Sequence, residues 1–373
     1  MNILILNWRD IKHPNAGGAE QSTFEYAKAW ARAGNQVFWF SSHFKDAKQK
    51  EVLQGVDITR RGRQYFDVQI RAFWWYMFGK HPNFDLVVDQ FHGIPFFTPL
   101  YVRTKKLAYI HEVAKEVWRL NPWPWPFNII AAAIGTFFEP WIFKIFYEKT
   151  PFMTVSESTK KDLIDWKIPP ENVKVIHNGV TVVKPKTNVK KEIKKTAIYL
   201  GALAKDKGIE DAIEAFSLID KSDNSWQFWV VGKSSPLYLR KLRKKASGFS
   251  IREKIKFWGY VDDKKKFELL ARAHVLINPS VREGWGLVNI EANALETPVV
   301  AYDVSGCRDS VKNGYSGILC REKTPSCLAD EAIGLLRNKS KYKNLSKNAV
   351  FWSKKFSWRA STQKSLKLLQ DIS

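Results

Sequence analysis

Glu283 and Glu291 lie in the segment Ser280-Val-Arg-Glu-Gly-Trp-Gly-Leu-Val-Asn-Ile-Glu-Ala-Asn-Ala-Leu-Glu-Thr-Pro-Val-Val. The first precedes a Gly-Trp-Gly turn. The second falls inside an apolar, helix-forming run that opens near Leu287. A glycine loop leading into a helix presents backbone N–H groups that have no partner within the helix, and such groups bind anions. Gly286 and Leu287 stand at that junction. The second carboxylate follows about two helical turns on, where it can accept from hydroxyl groups. Two more glycine loops carry related chemistry. In Pro14-Asn-Ala-Gly-Gly-Ala-Glu-Gln-Ser, Gly17 and Gly18 leave the backbone bare, so a phosphate or sugar can come close. In Leu200-Gly-Ala-Leu-Ala-Lys-Asp-Lys-Gly-Ile, Lys205 and Lys207 add positive charge. Glycine loops, lysines and two carboxylates together suit a ligand that carries a diphosphate. His111, in Tyr109-Ile-His-Glu, closes a strand-like run. Open α/β sheets bind ligands at such strand ends, and a neutral imidazole can donate to a hydroxyl or accept from one.

These groups need sheets to position them. In the first half, strand-like runs at 3–6, 37–40, 86–88, 107–110 and 152–155 alternate with amphipathic stretches such as 21–33 and 158–166. In the second half, runs at 197–200, 228–231, 255–258, 275–277 and 299–301 alternate with helical patterns at 209–216, 238–245, 264–271 and 288–295. Such alternation predicts a parallel sheet with helices on both faces, here twice over. Between 182 and 195 Lys, Pro and Thr dominate and apolar periodicity lapses, so a linker is expected there. The expected domains are therefore 1–182 and 183–356, with a last helical run at 358–369.

The motif containing the two glutamates resembles the E-x7-E signature of retaining glycosyltransferases, in particular glycosyltransferase family 4. The resemblance rests on Glu283-Gly-Trp-Gly-Leu, Glu291-Ala and Pro298-Val-Val, with Trp285 where the family has Phe and Glu296 where it has Gly. It extends to Gly17-Gly18-Ala-Glu, to His111, to Lys207-Gly208 and to Phe257-Trp-Gly-Tyr-Val-Asp. What it implies is an α/β fold of two doubly wound Rossmann-like domains facing a cleft, the GT-B architecture, with the final segment 357–373 packing back on the first domain. It also implies transfer of a sugar from a nucleoside diphosphate sugar with retention at the anomeric carbon. Under this reading Glu291 holds the ribose hydroxyls, while Glu283 and His111 face the donor sugar as the catalytic pair. Gly17, Gly18, Lys205, Lys207, Gly286 and Leu287 surround the diphosphate, and Tyr260 and Val261 meet the base. No metal or cofactor is implied; the nucleotide sugar is the donor substrate, and lysines and helix N-termini would offset the leaving diphosphate's charge. One departure stands out. Ala202 occupies the family's arginine position, which removes a bidentate phosphate donor that Lys205 replaces only in part. That departure keeps a second reading open, an inactive relative that serves as a binding subunit. A phosphorylase-like enzyme of the same architecture, with a lysine-bound pyridoxal phosphate, is a third.

Charge and aromatic content bear on partners. The 60 Lys+Arg against 37 Asp+Glu give a net charge of +23, a field that attracts polyanions. Nucleic acid is one candidate, but no nucleic-acid-binding module accompanies the charge, so none is expected as a partner. An anionic membrane surface is another. Aromatic residues crowd 118–147 (Trp118, Trp123, Trp125, Phe137, Trp141 and others) beside Arg119 and Lys144. The prolines at 122, 124 and 126 leave an apolar run of 12 residues, 127–138, which is short for a span and fits a buried or an interfacial helix. The expectation is a lipid-linked or glycan acceptor, met in cell-envelope or glycan assembly by a cytoplasmic protein peripheral on the inner face of the membrane. Three cysteines without a C-x-x-C pair fit a reducing compartment, and Met1-Asn-Ile-Leu-Ile-Leu reads as a first buried strand rather than a signal peptide.

Overall fold

The computed structural model describes every residue except 66, 121–124, 184–188 and 373. The chain divides into two compact units, Met1–Gly179 with Trp358–Ser373, and Val180–Ser357.

The first unit is built on eight strands: β1 (Asn2–Leu6), β2 (Gln36–Ser41), β3 (Lys50–Leu53), β4 (Val56–Arg60), β5 (Leu86–Gln90), β6 (Lys105–Ile110), β7 (Phe152–Thr154) and β8 (Val173–Val175). Their order is β3-β4-β2-β1-β5-β6-β7-β8. Every neighbouring pair is parallel except β3 and β4. Central strands are apolar on both faces because helices cover both faces, and Ile3, Leu4, Ile5 and Leu6 are fully buried. The edge hairpin β3–β4 was not among the expected strands. Its turn, Gln54-Gly55, has both residues at positive φ (51° and 85°), as a two-residue hairpin requires. Asp10 and Arg60 form a buried two-point ion pair (2.7 and 3.0 Å) that ties the loop after β1 to the end of β4. The last helix, Trp358–Ile372, packs on the helix Gly18–Arg32, where Trp30 Nε1 donates to Ser365 Oγ at 3.0 Å.

The second unit holds six parallel strands: β9 (Lys195–Leu200), β10 (Trp226–Val231), β11 (Ile255–Gly259), β12 (Val275–Asn278), β13 (Val299–Tyr302) and β14 (Gly317–Cys320). They lie in the order β11-β10-β9-β12-β13-β14. Within the expected linker, 184–188 lie outside the described residues. Lys191 is docked on the second unit, with Nζ donating to Ala273 O and Thr297 Oγ1, both at 2.7 Å, and Lys195 already opens β9.

One element departs from expectation. The apolar helix does not stop at 138. It runs Phe127–Ile142 and continues as a π-turn, Phe143–Tyr147, giving 21 residues that include an 18-residue window of mean hydropathy 1.6. That is long and apolar enough to cross a membrane by length and composition. Most of it is exposed, but Ala132, Gly135, Glu139, Phe143 and Tyr147, at helical spacing, line a buried side. A Cβ on Gly135 would lie 2.2 Å from the Trp118 ring, so glycine is what lets Trp118 seat there. Glu139, the charged residue that closes the apolar run 127–138, is buried. It accepts from Ala114 N (2.8 Å), Lys115 N (3.1 Å) and Trp118 Nε1 (2.9 Å). Trp123 lies outside the described residues; Trp125 is exposed.

Candidate active site

In the second unit the candidate groups gather at the C-terminal edge of the sheet. Glu283 sits between β12 and the helix Leu287–Asn293. Its Oε2 accepts from Lys207 Nζ at 3.1 Å and its Oε1 from Ser280 Oγ at 2.7 Å, and the pair stays partly open to solvent. Two glycines hold this corner closed. Gly208, with φ 67°, brings the Lys207 loop against Pro279, whose carbonyl oxygen would lie 2.0 Å from a Cβ there. Gly306, with φ 75°, passes so close to Glu283 that a Cβ would meet its carbonyl oxygen at 2.2 Å. Trp285, in place of the family's Phe, is buried and packs edge-on against Phe356. Gly286 is left-handed (φ 74°) and launches the helix at Leu287. Asn289, buried on the next turn, accepts from Asn278 Nδ2 and donates to Ser310 Oγ, both at 2.9 Å, which locks the helix onto β12.

Glu291 projects from this helix into a buried ion pair. Its Oε1 accepts from Lys266 Nζ at 2.8 Å, and Lys266 also meets Asp263 at 3.0 Å. Burial raises the Glu291 pKa and Lys266 opposes the rise. Sequence reasoning missed Lys266 as a partner: it lies 25 residues away, on the helix Asp263–Arg272. That helix is capped by Asp262, which accepts from Lys265 N, and it directly follows Tyr260 and Val261. Tyr260 and Val261 thus lead into the helix that supplies Lys266 to Glu291. Tyr260 is 71% exposed with Lys233 Nζ 4.4 Å from its ring centre, and Val261 is partly exposed. Lys205 is exposed and makes no ion pair among the described residues. Ala202 is exposed too, and its carbonyl accepts from Tyr199 OH at 2.7 Å.

In the first unit Gly17 and Gly18 are exposed at the start of the helix Gly18–Arg32. The helix opens at Gly18, ahead of the amphipathic stretch 21–33 read from the sequence, because Glu20 reaches back: its Oε2 accepts from Gly17 N at 2.7 Å. Buried Glu20 also pairs with Arg9 (3.0 Å), which in turn donates to Asn15 O. The glycine loop is thus held by a fixed charge pair. His111 ends β6. Its Nε2 lies 3.3 Å from Gln90 Nε2, its ring packs on Tyr109, and its carbonyl accepts from Thr159 Oγ1. The residue is partly exposed, yet burial, helped by His92, lowers its pKa to about 3. The imidazole is therefore neutral at working pH.

Comparisons with known proteins place the chain among glycosyltransferases. Residues 16–184 match the family described as Glycosyltransferase Family 4, and residues 183–351 match the one described as Glycosyl transferases group 1. The chain is 24% identical to the glycosyltransferase MJ1069 of Methanocaldococcus jannaschii, over 96% of each chain. It is 33% identical to phosphatidyl-myo-inositol mannosyltransferase of Mycobacterium leprae, over 39% of this chain and 38% of the other. The first two curated relatives, both glycosyltransferases of M. jannaschii, match over 48% and 50% of their own length, so the chain spans about half of each. Among solved structures, Anabaena HepE in complex with UDP-glucose has a TM-score of 0.73 at 17% identity, over 100% of both chains. That likeness, together with the two parallel sheets, shows a fold of two Rossmann-like α/β domains as in GT-B glycosyltransferases.

Proposed function

We propose that this chain, a family 4 glycosyltransferase domain followed by a group 1 glycosyltransferase domain, transfers a sugar from a nucleoside diphosphate sugar with retention of anomeric configuration. The observation that carries the reading is the pair of carboxylates, Glu283 and Glu291, held at one sheet edge and each engaged by its own lysine. Glu291 takes the ribose hydroxyls of the donor. Lys207 moves from Glu283 to the diphosphate, with Lys205 beside it, and frees Glu283 to orient the donor sugar. Neutral His111 hydrogen-bonds a sugar hydroxyl. In a same-face displacement the acceptor hydroxyl attacks the anomeric carbon. The bond from that carbon to the diphosphate oxygen breaks, and the departing diphosphate takes the acceptor's proton. Positive side chains placed for the leaving group stabilise it at the moment its charge develops.

The acceptor we assign is lipid-linked, within cell-envelope or glycan assembly on the cytoplasmic face of the membrane. The support is the long apolar helix, which leaves Phe127, Ile130, Ile134, Phe137, Phe138 and Trp141 at least half exposed. Its buried side stays packed on the first unit, which fits lying in an interface rather than spanning it. HepE was solved with UDP-glucose, so that donor is the first to try. A thermal-shift screen of nucleoside diphosphate sugars tests the donor assignment. The right donor raises Tm through binding to the folded state alone, and no shift with any nucleotide overturns it. Ala202 supports one second reading, in which donor binds without turnover.

A further inference from the structure

The membrane reading uses one helix, and a second apolar helix lies in the same unit. In Val68–Phe78, the side chains of Val68, Ala72 and Trp75 are buried, while Ile70, Trp74, Met77 and Phe78 are exposed, Phe78 at 70%. Ring contacts carry this surface across to the long helix. Phe73 and Tyr76 meet Tyr101 at 5.0 and 5.6 Å, and Phe97 meets Phe146 at 5.7 Å. Leu100, exposed on the short helix Thr98–Tyr101, lies on this bridge. Single exposed apolar side chains are ordinary; a band of large ones marks an interaction surface.

Both bridged elements then run into positive charge. The chain leaves the short helix into Arg103, Lys105 and Lys106, and leaves the long helix into Lys149. These four side chains line one pocket of about 580 Å³, with Asp371 the one acidic side chain among its described lining residues. Lys106 Nζ is fixed there by Val102 O (2.9 Å) and Thr104 O (3.0 Å).

Building on the membrane reading, we propose that the first unit binds an anionic bilayer through both helices at once, and that the Arg103–Lys105–Lys106–Lys149 pocket seats the phosphate of an anionic phospholipid. A bilayer offers apolar depth and negative charge together, as this face requires. A second copy of the chain fits poorly, since it brings its own net charge of +23 to a basic surface.

Co-sedimentation with phosphatidylcholine vesicles, with and without phosphatidylglycerol, tests this. Three double variants are compared: Trp74→Ser with Phe78→Ser, Ile134→Ser with Phe137→Ser, and Arg103→Glu with Lys149→Glu. All six positions are exposed, and thermal melts confirm that each variant folds. Each apolar pair is expected to weaken binding about tenfold, and the charge reversal to remove the preference for phosphatidylglycerol. Wild-type binding by the Trp74/Phe78 variant, with loss in the Ile134/Phe137 variant, overturns the second anchor and leaves the membrane reading standing. A retained lipid preference in the Arg103/Lys149 variant overturns the pocket. Absence of vesicle binding by the unaltered protein overturns both, as does dimerisation that Trp74→Ser with Phe78→Ser abolishes.

Discussion

Gln90 Nε2 lies 3.3 Å from His111 Nε2, while Gln90 Oε1 accepts from Thr23 Oγ1 at 2.7 Å. In this arrangement the nitrogen end of the buried amide faces the histidine. The amide N–H then donates to Nε2, which leaves the ring proton on Nδ1. His111 is thus held neutral by its surroundings and in one tautomer by Gln90. Replacing Gln90 with Glu turns the donor into an acceptor and inverts that tautomer. Turnover should fall about 10- to 100-fold, the scale of a misplaced proton-transfer or hydrogen-bonding group, with nucleoside diphosphate affinity unchanged. Equal loss of rate and affinity would indicate a purely structural role.

Glu291→Ala removes the proposed ribose acceptor and strands Lys266 in a buried site. Loss of hydrogen bonds to a charged acceptor costs about 1.5–3 kcal/mol, or roughly 10- to 150-fold in nucleotide Kd by calorimetry. Glu291→Gln keeps the shape and one acceptor, so it should bind more tightly than the alanine variant. Unchanged affinity in a folded Glu291→Ala protein removes the assignment.

Ala202→Arg restores the family's phosphate donor. The position is exposed and beside Lys205, so a guanidinium has room to reach a diphosphate bidentately. Donor Kd should fall. If it rises or stays constant, this chain has built its phosphate contacts elsewhere.

How much of this could be read from the residues depends on the distance over which each choice is made. Strands buried on both faces, such as β1, β5 and β9, announce themselves as unbroken apolar runs. The edge strand β3 (Lys50-Glu-Val-Leu) holds only two apolar residues and pairs with β4 alone, and β4 (Val56-Asp-Ile-Thr-Arg) alternates apolar and polar residues, so no local run marked either. The helix Val68–Phe78 is apolar on both its buried and its exposed sides, which blurs the helical period. Glu139 misled in the other direction. A charge in an apolar run reads as an end, and only the donors at 114, 115 and 118 explain its burial. The E-x7-E spacing was local and legible. The lysines that hold each glutamate were not, because Lys207 and Lys266 reach them through the fold, across 76 and 25 residues.

His274 supplies a pH test. Its Nδ1 accepts from Thr196 N at 3.1 Å, and burial, with Lys191 adding to it, lowers its pKa from about 6.5 to about 4. Between those values the unfolded chain binds the proton and the folded chain does not. The stabilisation is therefore complete above pH 6.5 and is lost as pH falls towards 4. Thermal melts of the wild type and His274→Gln should converge as pH drops through that window. Parallel curves would contradict the shift.

The anomeric configuration of released sugar tests the central claim most directly. Proton NMR follows the protein turning over its matching α-linked nucleotide sugar with water as the acceptor. The account predicts release of nucleoside diphosphate with the α-anomer appearing first, before mutarotation, and loss of both signals in Glu283→Gln. A β-anomer appearing first contradicts retention, and a bound donor that is never cleaved contradicts transfer itself.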